Sequence, residues 1–289
     1  CHILIDDGIF KYNQCIEKKV NKVLGIVKKE QVQPPVEYSP NNDSNKKDET
    51  LVQVEVVKST IPDASEIYNK LKNSVMLVRT IHAKITWTDE EMAKASASTC
   101  SAVALGVNQF ATNAHCVLFG KEKNMSEHQI SDFICLLSIA NKISGWEGCN
   151  WAIVEHIDAF SDQAIISIQE YDPEDKIIPT PVQIKKSKSV NIFDKVYTLG
   201  NPKGNIGVFT EGKITAINEW DMFGSYEIPT PMYTIDAIIE PGNSGGGLFD
   251  INGNLIGITS GGMPDRAGKK SVVQHNYAIV IDEFLNLLN

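Results

Sequence analysis

A short glycine-rich segment carries the residue of this chain that is best placed to act as a nucleophile. Residues 238–249 read I-I-E-P-G-N-S-G-G-G-L-F, with Ser244 between Gly242 and two further glycines. Glycines allow a tight turn whose amide groups point inward, so the amides of Gly242 and Ser244 could form an oxyanion hole for a tetrahedral intermediate. Taken alone, such a string is also typical of an ordinary turn between strands.

A serine hydroxyl needs a neighbouring base to attack a carbonyl group at neutral pH, and histidine usually supplies it. His115 lies in F-A-T-N-A-H-C-V, directly after a strand-like A-V-A-L-G-V run and a two-residue turn. Cys100 and Cys116 bracket this hairpin, and a disulfide between them would fix the histidine loop. His115 is therefore the candidate general base. The other histidines, at positions 2, 82, 128, 156 and 275, are interpreted as surface or packing residues.

A carboxylate should hold the histidine in the correct tautomer, and Asp162 is the candidate. It stands in S-D-Q-A-I-I-S-I, residues 161–168, at the mouth of an apolar strand, where a buried orienting carboxylate is expected. Asp158 and Asp172 are competitors, and both fit solvated loop acids better. Serine, histidine and aspartate together indicate acyl-transfer chemistry.

Short runs rich in valine, isoleucine and threonine, separated by glycine, asparagine and proline, must position these side chains. Such runs are typical of an all-β barrel or sandwich, since a parallel α/β fold would need helices of about 10 to 15 residues between strands. Two short helices are predicted, 64–72 with Asp63 as its cap and 282–288 near the end. The clearest strand candidates are 75–80, 102–107, 164–168, 195–199 and 255–259.

The N-terminal part of the chain differs in composition from the rest. Residues 15–29 place apolar side chains at helical spacing between lysines, which predicts a short amphipathic helix within a segment over 1–30. Residues 31–50 contain three prolines and almost no large apolar residues, so a flexible linker is expected over 31–60. The folded domain would then occupy 61–289.

Charge and hydropathy exclude several classes of partner. The chain has 289 residues, a formal net charge of −9 and no long lysine or arginine cluster, so no nucleic-acid partner is expected. No apolar run approaches the roughly 18 to 20 residues of a membrane-spanning helix. No C-x-x-C pair indicates zinc, and neither a metal nor an organic cofactor is expected.

Six cysteines, an even number, favour disulfides and an extracytoplasmic compartment, whether periplasm, cell surface or medium. Cys135 and Cys149 would form a second bridge, or would remain as buried free thiols. Cys1 has three interpretations: a lipid-modified residue left by signal cleavage, an arbitrary truncation, or a disulfide partner of Cys15.

Five motif blocks give the sequence a resemblance to a known family. In order they are T-N-A-H-C-V, S-D-Q-A-I-I-S-I, L-G-N-P-K-G, F-T-E-G-K-I-T-A-I and D-A-I-I-E-P-G-N-S-G-G. Over residues 66–288 the chain resembles the trypsin-like peptidases, most closely the HtrA/Deg-type branch. The resemblance implies an all-β fold of two antiparallel six-stranded barrels, with His115 and Asp162 from the first and Ser244 from the second. The order histidine, aspartate, serine is that of the chymotrypsin architecture.

The resemblance also implies a specificity pocket whose floor lies near Ile238. No acid or base stands there, so small or medium aliphatic side chains are expected before the scissile bond. The wall of this pocket is expected from Thr259, Ser260, Gly261 and Gly262.

The chain departs from the HtrA branch in three ways. No PDZ domain is expected after the last helix, a Cys100–Cys116 bridge is more typical of secreted trypsin-like enzymes, and the N-terminal segment has no known counterpart. A trimer is therefore not expected by analogy, and the oligomeric state stays open. Asn243 stands where digestive enzymes have an aspartate, so activation through a newly cut N-terminus is not expected.

These residues predict a serine endopeptidase that hydrolyses a protein or peptide substrate through an acyl-enzyme on Ser244. The alternative is a catalytically silent binding or chaperone protein that keeps the protease fold with a collapsed oxyanion loop. A third interpretation, an esterase with the same triad, would need an acyl-chain pocket that the sequence does not reveal.

Overall fold

A computed structural model describes residues 62–120, 128–138, 148–169, 178–220, 230–262 and 276–288. The predicted N-terminal segment, the predicted linker and Asp172 lie outside these residues.

Most strands of the first half of the chain close into an antiparallel barrel. The strands are β1 (Val75–Ile81), β2 (Ala97–Ala104), β3 (Gln109–Thr112), β4 (Leu118–Phe119), β5 (Gln129–Ile130), β6 (Phe133–Ser138), β7 (Asn150–Asp158) and β8 (Gln163–Ile168). Six of them form the barrel in the order β1-β2-β3-β8-β7-β6, while β4 and β5 pair separately. Alternate side chains of β1 point inward, because successive residues of a strand face opposite sides, and Met76 and Val78 pack with Phe110 and Ile166.

The second half of the chain closes a second antiparallel barrel. Its strands are β9 (Lys195–Gly200), β10 (Val208–Trp220), β11 (Thr230–Ile235), β12 (Gly247–Asp250), β13 (Leu255–Gly262) and β14 (Asn276–Val280). They follow the order β10-β11-β14-β13-β12-β9, around an interior that includes Val196, Ile214, Leu248 and Ile256. The fold class predicted from the sequence, two antiparallel six-stranded barrels, is confirmed.

A separate cluster of buried side chains joins the two barrels. Val103 and Ile165 of the first barrel pack with Leu199, Phe249 and Ile258 of the second. This apolar contact holds the barrels together and fixes the relative positions of the loops that border the cleft between them.

Three short α-helices lie in the part of the chain that the structure describes: α1 (Ala64–Leu71), α2 (Asp89–Met92) and α3 (Ile281–Leu287). Asp63 caps α1 as expected, since its Oδ1 accepts from Glu66 N at 2.9 Å and its own N–H donates to Glu66 Oε2 at 3.3 Å. Ile67 and Leu71 bury the inner face of α1 in the cluster between the barrels. No helix among the described residues is long and apolar enough to cross a membrane.

One predicted strand has the wrong first residue and the wrong last residue. The strand expected over 102–107 is β2, which begins at Ala97 and ends at Ala104. At its start the backbone pairs with β1 although Ser98 and Thr99 interrupt the apolar pattern. At its end Leu105 N donates to Gln109 O at 2.9 Å, which turns the chain before Val107.

Disulfides join Cys100 to Cys116 and Cys135 to Cys149. We expect replacement of Cys100 and Cys116 by alanine to lower the free energy of unfolding by about 3 kcal/mol, because the bridge restricts a loop of this length in the unfolded chain. Its cysteines are 16 residues apart. Urea unfolding of the full chain measures the effect. The Cys135/Cys149 pair, 14 residues apart, should give a similar loss when replaced in the same way, and an unchanged midpoint in either variant would contradict this account.

Candidate active site

His115 lies in a single 3₁₀ turn, Ala114–Cys116, that directly follows β3. The turn is fixed on both sides of the histidine. Asn113 Nδ2 donates to Asp162 O at 3.0 Å, and Thr80 Oγ1 donates to Cys116 O at 2.8 Å. Together with the Cys100–Cys116 bridge, these bonds hold the imidazole at the mouth of the first barrel.

Asp162 lies at the entrance to β8 with a positive φ of 56°, and its side chain is 1% exposed. Both carboxylate oxygens lie 2.9 Å from His115 Nδ1, and Oδ1 also accepts from His115 N at 3.0 Å. Oδ2 accepts from Ser260 Oγ at 2.7 Å. Since a carboxylate only accepts hydrogen bonds, the hydrogen of the neutral imidazole must sit on Nδ1, and Nε2 is left able to accept a proton.

The environment of His115 sets its pKa through opposing effects. Burial of the ring lowers the pKa, whereas the charge of Asp162 and its hydrogen bond raise it, and the net shift is upward from the ordinary value of 6.5. The side chain keeps 43% of its surface exposed, so the ring is packed against protein on one side and open to the cleft on the other.

Ser244 lies in the turn that leads into β12. Gly242 and Gly245 have φ values of +102° and +83°, which side chains other than glycine rarely adopt. A Cβ atom at Gly245 would lie 2.0 Å from Ser101 O, so this position also needs glycine for space. Ser101 N donates to Ser244 O at 2.7 Å, and Gly245 N donates to Thr259 O at 2.8 Å. The serine turn is thus held against both barrels.

Indirect contacts place Ser244 near the pair formed by His115 and Asp162. Cys116 Sγ, beside His115, lies 3.7 Å from Ser244 O. From the other side, a Cβ atom on Gly261 would lie 3.7 Å from Ser244 Oγ, and the neighbouring Ser260 donates to Asp162. The described residues show no hydrogen bond between the His115 ring and Ser244 Oγ. Such contacts are often long without substrate and tighten when it binds.

The backbone N–H groups around Ser244 differ in whether they have a hydrogen-bond acceptor. Asn243 N donates to Glu240 O at 3.0 Å, whereas the N–H groups of Gly242 and Ser244 have no acceptor among the residues that the structure describes. Pro241 O accepts from Lys203 N at 2.7 Å. In a trans peptide the N–H points opposite to the carbonyl, so the N–H of Gly242 faces away from Lys203.

The residues expected in the specificity pocket differ in exposure and in their contacts. Ile238 is 64% exposed. The Thr259 side chain is buried, and its Oγ1 donates to Asn243 O at 2.6 Å. Ser260 Oγ donates to Asp162 Oδ2. Gly261 alone of these faces Ser244, while Gly262 ends β13 in register with Asn276.

Two further residues that support the site were not singled out from the sequence. Ser101 Oγ donates to Gly242 O at 2.9 Å and accepts from Asn201 N at the same distance. Asn201 Nδ2 reaches Met76 O at 3.0 Å, which ties the serine turn to β1. The sequence did contain a signal for Asn201, because this residue lies in the L-G-N-P-K-G block.

One group within the described ranges has the spacing of a metal site. Donor atoms of Cys100, His115 and Cys116 lie within 4.8 Å of one another. The two sulfur atoms are joined in a disulfide. Since the thiolate is the form of cysteine that binds metals, this group offers only the imidazole.

Comparisons with known proteins agree with this geometry. The family model "Trypsin-like peptidase domain" matches residues 100–258, more than half of the chain. A "Serine protease HtrA-like" of Staphylococcus epidermidis is 30% identical over 110 residues, 36% of this chain and 18% of that protein. Its Staphylococcus aureus counterpart is 27% identical over 179 residues, 60% of this chain and 20% of that protein. The matches thus span about a fifth of these relatives.

Solved structures share the fold at low identity. An "HtrA-type protease AlgW with tripeptide" has a TM-score of 0.58 and 23% identity, covering 78% of this chain and 62% of its own. The active form of the "Rv3671c protease from M. tuberculosis" has a TM-score of 0.58 and 19% identity, covering 89% of this chain and 93% of its own. By its family model and its double barrel, this chain belongs to the trypsin-like peptidase domain family.

Proposed function

We propose that this chain is a serine endopeptidase in which Ser244 is the nucleophile, His115 the general base and Asp162 the residue that orients the histidine. The observation that carries the proposal is the pair of 2.9 Å contacts from the Asp162 carboxylate to His115 Nδ1, at the cleft that Ser244 also borders. These contacts leave His115 Nε2 free to take the proton of an attacking hydroxyl.

The reaction proceeds in two halves. Ser244 Oγ attacks the carbonyl carbon of the scissile bond while its proton passes to His115 Nε2, and a tetrahedral oxyanion forms. His115 then gives this proton to the departing amine, which leaves an acyl-enzyme. In the second half, His115 Nε2 takes a proton from water as the water oxygen attacks the ester carbon. His115 then gives this proton to Ser244 Oγ as the bond from Oγ to the acyl carbon breaks, so the acid product departs and the free enzyme is restored.

The oxyanion loop favours an enzyme over a silent binding protein. A collapsed loop would turn the Pro241 carbonyl into the site and the Gly242 N–H out of it. Here Pro241 O is held by Lys203 N, and the amides of Gly242 and Ser244 are unused among the described residues. Two such donors are what a tetrahedral oxyanion requires, and loss of one typically costs about a hundredfold or more in kcat.

The proposed substrate is an extended peptide with a small or medium aliphatic residue before the scissile bond. This preference rests on the resemblance, which places the uncharged Ile238 beside the specificity pocket, where no acid or base would attract a charged side chain. The disulfides support an oxidising, extracytoplasmic compartment. Attachment through a lipid at Cys1 remains a proposal that rests on the sequence alone.

Covalent labelling tests the proposed function directly. A fluorophosphonate probe should label the wild-type chain and fail to label Ser244→Ala, because the probe reacts only with a serine that a neighbouring base activates. Hydrolysis of casein compared with a short ester then distinguishes a peptidase from an esterase. A folded wild-type chain that neither reacts with the probe nor cleaves casein would favour the silent binding protein instead.

A further inference from the structure

A second feature of the cleft is a cavity of about 500 Å³ beside the loop that carries Gly242. Cavities of this size commonly hold a ligand group. Arg79 and Lys203 contribute positive charge to its lining, and Thr99, Pro241 and Gly242 contribute polar groups and backbone. We call it the Arg79 cavity.

Arg79 is the one partly buried residue of β1, whose other six residues are buried. Its guanidinium makes no hydrogen bond or ion pair with any other residue that the structure describes. Burial lowers the pKa of Arg79 below its ordinary value, yet an arginine remains protonated at neutral pH. The cavity therefore contains a charged, partly desolvated guanidinium group, whose N–H donors could form hydrogen bonds with an anion.

Glu240, the carboxylate of the nearby ion pair, does not supply that anion. It accepts through Oε1 from Lys203 Nζ at 2.6 Å, on the exposed rim. The Thr99 hydroxyl, which also lines the cavity, has no acceptor within the described ranges. A carboxylate in the Arg79 cavity would thus meet the Arg79 guanidinium and one neutral donor, and a planar carboxylate matches the guanidinium fork.

The position of the cavity indicates which part of a substrate enters it. It borders Thr99, whose neighbour Cys100 is bridged to Cys116 beside His115, and it shares Gly242 with the oxyanion loop. The segment 259–262, on the other side of Ser244, contributes nothing to its lining. Because His115 protonates the departing amine, the chain that follows the scissile bond leaves on this side.

We propose, on the basis of the peptidase function above, that the Arg79 cavity binds a carboxylate in the part of the substrate that follows the scissile bond. The carboxylate comes either from a glutamate or aspartate side chain or from the C-terminal carboxyl group of a short substrate. Both sources present the same chemistry to Arg79, and the experiment below separates them.

Binding to the full-length Ser244→Ala chain tests this proposal without needing turnover. Three fluorescent peptides share one sequence before the scissile position. After it, the first carries glutamate with an amidated C-terminus, the second glutamine with an amidated C-terminus, and the third glutamine with a free C-terminus. Fluorescence anisotropy should show at least one carboxylate peptide binding about tenfold or more tightly than the second peptide, the equivalent of one charge-assisted hydrogen bond. The tighter of the two identifies the source.

Variants of Arg79 locate the effect. Arg79→Gln should abolish the difference between the peptides, Arg79→Lys should retain part of it, and Arg79→Glu should favour a peptide with lysine at the same position. Lys188→Gln changes the net charge equally at an exposed residue outside the cavity and should leave the difference intact. Equal affinity for all three peptides, no measurable binding of either carboxylate peptide, or a preference that survives in Arg79→Gln would overturn the proposal. Whether the chain is a serine peptidase at all is tested separately, by fluorophosphonate labelling of the wild-type chain.

Discussion

Replacing Ser244 by alanine is expected to lower kcat by about 10⁶-fold, and replacing His115 in the same chain is expected to lower it little further. The two residues act as one unit, since the serine is a poor nucleophile without the base and the base has no proton to accept without the serine. Losses that add in full would mean that the residues work independently. The measurement is kcat on a fluorogenic peptide for the two single variants and the double variant.

Two matched variants separate chemistry from folding in this series. Ser189→Ala removes a hydroxyl that donates to Lys186 O at the surface, and His156→Ala removes an exposed imidazole of β7. Both should retain wild-type kcat within about twofold, because surface substitutions of this kind change stability by only a few tenths of a kcal/mol. If Ser244→Ala kept substantial activity while both controls behaved as expected, the assignment of the nucleophile would be wrong.

The sequence predicted the main elements because their signals are local. Asp63 and Glu66 form a capping box within four residues, and the apolar runs of β1, β8, β9 and β13 mark buried strands. The number of strands and their closure into barrels came from the resemblance alone, because periodicity shows that a residue faces a core but not which strand lies beside it.

The predicted bounds of a strand were wrong where pairing of backbone groups, and not the pattern of side chains, determines the strand. Ser98 and Thr99 belong to β2 because their backbone groups pair with Thr80 and Arg79 of β1. A strand near the rim of a barrel can carry polar residues there, since one of its faces meets solvent. Local hydrophobicity cannot reveal such a segment.

The sequence suggested candidate catalytic residues but not the contacts that support them. Asp162 was proposed from its place before an apolar strand, whereas its hydrogen bond from Ser260 joins residues 98 positions apart, which no local pattern reveals. The hydrogen bond from the Thr259 hydroxyl to Asn243 O was likewise not expected from the sequence. These contacts exist only once both barrels are closed and packed together.

Asp162→Asn is expected to lower kcat by about 10⁴-fold while leaving the fold intact. Asparagine tolerates the positive φ of this position and matches the buried side chain in size. Its amide cannot accept from His115 N, His115 Nδ1 and Ser260 Oγ all at once, as the carboxylate does. An NH₂ group facing the imidazole would donate to Nδ1 and place the ring hydrogen on Nε2, where it blocks uptake of the serine proton.

The same substitution should change the pH dependence in a defined direction. In the wild type, kcat/KM should rise with pH as His115 loses its proton, with a midpoint above 6.5, since the net shift of this pKa is upward. Asp162→Asn removes the charge that raises the pKa and leaves the burial that lowers it, so the residual activity should titrate at lower pH. Asp158→Asn is the matched control, because that carboxylate caps the turn at Phe160 and Ser161 and does not contact His115. A shift of the midpoint in Asp158→Asn, or none in Asp162→Asn, would show that another group sets the protonation of the base.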